Sequence, residues 1–463
     1  MDLTEHLVDH LVGVQFDDLP TRAVEATKRM VLDTLGVAVA GSGAAGSRAL
    51  IEQILSWSPP GKSTVLASGE VIPAPMAAWA NASMARALEI DDSHDATGDH
   101  SGLAAAPAAF AVAEELGGVS GKELITAVAL GVDLVARLRM ACGIRVGDIA
   151  WGAATFAPFS AAAVTGKLLG LDAARMRSAL GIAYSQAAGS LQSQLDGALN
   201  LRVQHGMAAE AGVRAAFLAR AGLDGIHNFL EGRFGLYSTY FMDNWNPEPV
   251  TDHLGERFEV SNVSVKLYPC GRYFHGAVDS VLTLVTNEDL PPDRIREIRV
   301  TVSRNGYNMT CEPKADRVQP RTAPHAAFSL YYCLAAAAVR KRLFLDEFSD
   351  EALADPDILS LAQRVIPEVD DRLGHLARVI PPTPVEIVTT DGESFHNTAE
   401  YPRGHPANPV KLDEVFEKVK ACAGRSVKPI PEENLLKFKE AATALEELDD
   451  VSAIPAWLTG SAL

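Results

Sequence analysis

The chain has 463 residues, with 41 Lys plus Arg against 59 Asp plus Glu and a formal net charge of -18 at pH 7. A field of that sign works against nucleic acid and anionic membranes, which need a basic footprint. The length suffices for a sizeable core, so two domains are the default expectation.

The opening stretch MDLTEHLVDHLVGVQFDDLP has no cationic start followed by an apolar run, and no segment reaches the roughly 20 apolar residues of a membrane span. The five cysteines, Cys142, Cys270, Cys311, Cys333 and Cys422, are scattered and free of CxxC spacing. That argues against a disulfide framework and a structural zinc site, and predicts a soluble, cytoplasmic protein.

From residue 1 to about 240, Ala, Leu, Val and Gly recur at helical spacing, which predicts a helical domain. Its first polar interruption is EIDDSHDATGDHSG, residues 89–102, with five acidic residues and two histidines after the uncharged run AAWANASMA. Asp91, Asp92, His94, Asp95, Asp99 and His100 are metal-ligand types, yet their spacing matches no zinc or calcium loop. A solvated turn is the plain alternative. Carboxylates and imidazoles clustered between apolar helices shift one another's pKa values toward neutrality, so a proton-transfer site is the preferred reading.

Further along, SGKELITAVALGVDLVARLRMA begins with a capping box, Ser120 and Glu123, and TFAPFSAAAVTGKLLGLD stops at Gly170. Arg202 and His205 precede a long Ala-rich helix in residues 194–225; a catalytic His205 is one reading, but a lone histidine at a helix start is more often a capping or packing residue. In VKLYPCGRYFHGAVDS, residues 265–280, Lys266, Arg272 and His275 stand just before a helix. Cations beside free backbone N–H groups make a carboxylate-binding site, unless all three simply face water. Cys270 reads better as a small buried thiol than as a nucleophile.

Beyond residue 265 the texture changes. REIRVTVSR (296–304) and VEIVTTDGESFHNTAEY (385–401) alternate at strand period, the latter around the turn pair Asp391-Gly392. GAVDSVLTLV and HAAFSLYYCLAAAAV read as helices between them, which predicts a smaller α+β domain with an antiparallel sheet. The tail returns to amphipathic helix and is expected to pack back on the helical domain. The expected division is 1–265 and 401–463 for a mainly α domain built from both chain ends, with 266–400 inserted as a lid.

Six stretches in order, LDTLGVAVAGS, AAWANASMARALEIDDSHD, TFAPFSAAAVTGKLLGLD with ALGIAYSQAAGS, GMAAEAGVRAAFLARAGLDG, KLYPCGRYFH and EYPRGHPANP, make the chain resemble the MmgE/PrpD family. The resemblance implies a helical domain plus a lid, a homodimer, no cofactor and no metal. It also implies chemistry next to a carboxylate on a small carboxylic acid: loss of water, loss of carbon dioxide or inversion of a centre. Carried across, Asp91, Asp92, His100, Lys266 and His275 become the catalytic candidates. Ser93, His94, Trp151, Arg202, Gln204, Tyr268 and Arg272 become candidates for substrate binding. Within this set His100 is expected to be acid or base, Asp91 or Asp92 to orient an imidazole, and Lys266 with Arg272 to clamp a carboxylate.

The chain also departs from the family pattern. Trp151 stands where relatives carry the histidine of a W-H-P-T-type motif, while Leu201 and Gln204 replace the lysine and histidine of K-R-x-H. Fewer polar groups should hold fewer carboxylates, which points away from 2-methylcitrate and cis-aconitate and toward a substrate on which Trp151 stacks. A dehydratase is the leading expectation. An isomerase or epimerase is its closest rival, a decarboxylase is a further alternative, and a binding protein without catalysis is the reading from another class.

Overall fold

The structure is a computed structural model that describes residues 2–143, 151–375 and 380–460. It forms two compact units, one from Met1–Ala87, Asp91–Val263 and Lys411–Leu463, the other from Leu88–Ile90 and Ser264–Val410.

The first unit is helical. Its main elements are α1 (Thr21–Gly41), α2 (Ala74–Ala85), α3 (Gly102–Leu116), α4 (Gly121–Met140), α5 (Ala157–Leu168) and α6 (Asn200–Arg220). In α3 every residue from Gly102 to Ala113 is buried, as expected of a helix that is apolar all round. Alanine and glycine permit this because they let neighbouring backbones approach closely. A Cβ at Gly206 would stand 2.0 Å from Ser83 Oγ, and one at Gly212 would stand 2.4 Å from the Pro158 carbonyl. Glycine at these two positions therefore sets α6 directly against α2 and α5.

The helix stops behave as their residues dictate. Ser120 and Glu123 form the reciprocal capping box of α4, and Gly170, just beyond α5, has φ +64. The helix Leu412–Ala423 packs on α1, where buried Lys418 Nζ lies 2.6 Å from Asp33 Oδ1. Both chain ends thus build the helical unit. Among the described residues no helix is long and apolar enough to cross a membrane.

The second unit carries a four-stranded sheet of β1 (Ile295–Val302), β2 (Val365–Val369), β3 (Thr383–Thr389) and β4 (Ser394–Ala399), in the order β2-β1-β3-β4. The hairpin expected around Asp391-Gly392 is present: β3 and β4 run antiparallel with Val388 opposite Ser394, and Gly392 has φ +89. β1 and β3 are also antiparallel. The sheet as a whole is mixed, because β2 joins β1 in parallel with Ile298 opposite Val365. Sequence periodicity misses β2, since VIPEV contains Pro367, and proline is tolerated there because the strand lies at an edge.

Helices α7 (His275–Asn287) and α8 (Leu330–Arg340) cover this sheet's core, which includes Val278, Ile298, Tyr332 and Ile387. The run HAAFSLYYCLAAAAV is not one helix. Ser329 accepts a hydrogen bond from the Tyr332 N–H and caps α8, separating it from Ala323–Ala327.

Candidate active site

In the helical unit the polar segment after α2 folds around two buried carboxylates. Asp91 is wholly buried; its Oδ1 lies 3.3 Å from Arg86 Nη1 and its Oδ2 lies 2.6 Å from His100 Nδ1. His100 Nδ1 is also 2.9 Å from the Asp92 carbonyl. Both neighbours are acceptors, so Nδ1 carries the hydrogen and Nε2 is left as the nitrogen that can exchange a proton. The His100 side chain is 17% exposed, whereas that of Asp91 is fully buried.

Asp92 serves differently. Its Oδ2 accepts the Gly102 N–H at 3.0 Å and so caps the start of α3. Ser93 is buried. His94 has both ring nitrogens engaged, Nδ1 at 2.9 Å from Thr97 Oγ1 and Nε2 at 3.3 Å from Glu259 Oε2.

Behind His94 stands a second buried network. Fully buried Arg137 donates from Nε to Asp133 Oδ2 at 2.8 Å, from Nη1 to the Asp252 carbonyl at 2.7 Å and from Nη2 to the Arg257 carbonyl at 2.6 Å. Asp133 Oδ1 accepts the Glu259 N–H at 2.8 Å. The chain of contacts Arg137, Asp133, Glu259, His94 fixes the segment that carries His100. Burial alone would raise the Glu259 carboxyl, but hydrogen bonds from His94 and Asn262 outweigh it and bring it down to about 2. Asp99 is pushed up to about 7 by burial, with Arg139 and His94 opposing.

Residues 151–205 supply the remaining candidates of this unit. Trp151 is half-buried and meets Tyr240 edge to face, with ring centroids 4.8 Å apart. Arg202 Nη1 donates to the Ala45 carbonyl at 2.7 Å, and Gln204 Nε2 donates to Ser193 Oγ at 2.8 Å. His205 is brought to His100: the rings are edge to face at 6.0 Å. Burial, reinforced by the charge of Arg86 and by the neighbouring His100, lowers its imidazole to about 3, so His205 stays neutral. Arg86 is the polar neighbour that the sequence does not single out, because it precedes the acidic segment as a lone charge at a helix end.

In the α+β unit the cationic segment is buried as well. Lys266 is 1% exposed, with Nζ 3.7 Å from Glu89 Oε2. Arg272 and His275 lie at the start of α7. Arg272 Nη1 is 3.3 Å from His275 Nδ1, while His275 Nε2 is 3.2 Å from the Cys270 carbonyl, so Nε2 donates and Nδ1 accepts from the guanidinium. Tyr268 packs on His275 with ring centroids 5.2 Å apart and donates its hydroxyl to Asp279 Oδ1 at 2.5 Å. The fold thus gathers Asp91, Asp92 and His100 in one unit and Lys266, Tyr268, Arg272 and His275 in the other. Among the described residues no group of three or more His, Cys, Asp or Glu side chains is placed to hold a metal ion.

A buried carboxylate paired with an imidazole lies on one unit and a buried cationic segment on the other, and two domain matches decide the family. The MmgE/PrpD N-terminal domain matches residues 5–248 and the MmgE/PrpD C-terminal domain matches residues 268–444. The chain belongs to the MmgE/PrpD family. This MmgE/PrpD protein is 30% identical to the cis-aconitate decarboxylase-like protein oryM of Aspergillus oryzae, over 99% of its own length and 98% of that relative. It is 29% identical to the cis-aconitate decarboxylase of Aspergillus terreus, over 95% of this chain and 92% of the relative. The human cis-aconitate decarboxylase is 26% identical, over 99% and 95% of the two chains.

Proposed function

We propose that this MmgE/PrpD protein is a lyase working by proton transfer beside a carboxylate, with decarboxylation of an unsaturated tricarboxylate of the cis-aconitate type as its reaction. The observation that carries the reading is the Asp91–His100 pair, buried at one end and accessible at the other. Full-length likeness to proteins named cis-aconitate decarboxylases moves the balance from dehydration, the leading expectation from sequence, to its decarboxylase rival.

The departing carboxyl of such a substrate sits on a CH2 beside the alkene. As carbon dioxide leaves, its bonding pair becomes the new double bond, and the old one takes a proton at its far carbon. One proton enters and one carbon dioxide departs. His100 Nε2 supplies the proton, and Asp91 steadies the imidazole in its charged form. Lys266 and Arg272 hold the remaining carboxylates and the charge that grows on them. These steps use side chains alone and call for no cofactor.

Dehydration of a hydroxy acid is the second reading. The uncharged Leu201 and Gln204 favour it, since fewer cations suit a less charged substrate. Turnover in heavy water separates the two. Decarboxylation releases carbon dioxide from cis-aconitate and leaves one deuterium on the product carbon. Alkene absorbance rising from hydroxy acids, with no gas evolved, would favour dehydration. If folded His100→Ala and Lys266→Ala variants turned substrate over at the parent rate, the proposed site would be wrong.

A further inference from the structure

Glu89 belongs to the acidic segment, yet the proposed reaction gives it no task. It lies in Leu88–Ile90, the short stretch that groups with the α+β unit. Its φ is +54, a left-handed conformation that an ordinary side chain adopts only at a cost. The residue is buried, and its carboxylate and carbonyl both face the Lys266 ammonium, at 3.7 Å and 3.5 Å. Charge-assisted bonds made to last are shorter, about 2.7–2.9 Å. A carboxylate thus stands 3.7 Å from the Lys266 ammonium, farther than in a close ion-pair contact.

We propose that Glu89 is an internal stand-in for a substrate carboxylate: it balances the Lys266 charge in the empty enzyme and yields the ammonium when a di- or tricarboxylate arrives. Glu89 acts through Lys266 and is a positioning residue. The inference rests on the reading of Lys266 as carboxylate clamp. A buried ammonium needs a counter-charge when no ligand is bound, and an internal one lowers apparent affinity by the fraction of time it occupies the cation. The strained backbone at Glu89 reduces the cost of moving it aside.

The test is calorimetric titration of the full chain with tricarballylate, a saturated tricarboxylate with no alkene to drive loss of carbon dioxide, comparing the parent with Glu89→Gln, Glu89→Asn and Lys266→Met. Asparagine tolerates the left-handed backbone, so the second variant serves if glutamine disturbs folding. Removing the stand-in should tighten binding about 10-fold, and removing the clamp should weaken it by at least about 10-fold. In turnover, Glu89→Gln should lower KM with a smaller effect on kcat. Unchanged or weaker binding in the Glu89 variants, whether or not their Tm falls, would overturn the stand-in while leaving the clamp intact, provided Lys266→Met binds more weakly. If Lys266→Met binds as the parent does, the clamp itself is wrong and the stand-in falls with it.

Discussion

Arg86 and His100 share one carboxylate: Asp91 Oδ1 lies 3.3 Å from the guanidinium and Oδ2 lies 2.6 Å from the imidazole Nδ1. The arginine holds Asp91 in place and the aspartate then fixes the tautomer of His100, so proton exchange falls to Nε2. Geometry of this kind is more demanding than charge alone.

Replacing Asp91 by Asn keeps the shape but offers Nδ1 an amide that can donate as well as accept, allowing the wrong tautomer. The expected loss in kcat is about 100- to 10,000-fold, by analogy with the orienting aspartate of serine-protease triads, with circular dichroism unchanged. Steady-state kinetics checks it. A drop below about threefold would mean that Asp91 does not orient the acid.

His205 makes stability depend on pH. Its folded value of about 3 lies below the ordinary 6.5, so between those limits the unfolded chain binds more protons and stability falls as pH falls. The slope from this group is at most about 1.4 kcal/mol per pH unit. His205→Phe keeps an aromatic ring and should flatten the fall of Tm from pH 6.5 toward 4. Parallel Tm curves for variant and parent would count against a buried neutral imidazole.

The Arg137–Asp133 pair gives a stability prediction. Asp133→Ala strands a buried guanidinium and the Glu259 N–H together, which should cost about 3–5 kcal/mol. Urea denaturation measures this, and a cost under about 1 kcal/mol would show that solvent reaches Arg137.

Leu201→Lys adds a cation to α6 one turn before His205. If a third carboxylate binds near this helix, KM for cis-aconitate should fall about 10-fold, equivalent to about 1.4 kcal/mol. A higher KM would place that carboxylate elsewhere.

Much of this was legible in the chain itself, because it depends on neighbours in sequence. The Ser120–Glu123 box, the stop at Gly170 and the hairpin at Asp391-Gly392 are local devices whose residues dictate their backbone. Asp91, Asp92 and His100 could be read as a polar cluster from their spacing of at most nine positions. The partners of those groups could not. Arg86 precedes the cluster as one charge at a helix end, and His205 lies 105 positions beyond His100. Only the close seating of α6 on α2, which Gly206 permits, brings the two imidazoles together. Strand β2 was hidden in the same way, since Pro367 breaks its strand signal and is accommodated because the strand lies at an edge of the sheet. Composition and period determined the kinds of element and the candidate residues. Burial and long-range packing decided which carboxylate faces which imidazole, and therefore which nitrogen is left to carry the proton.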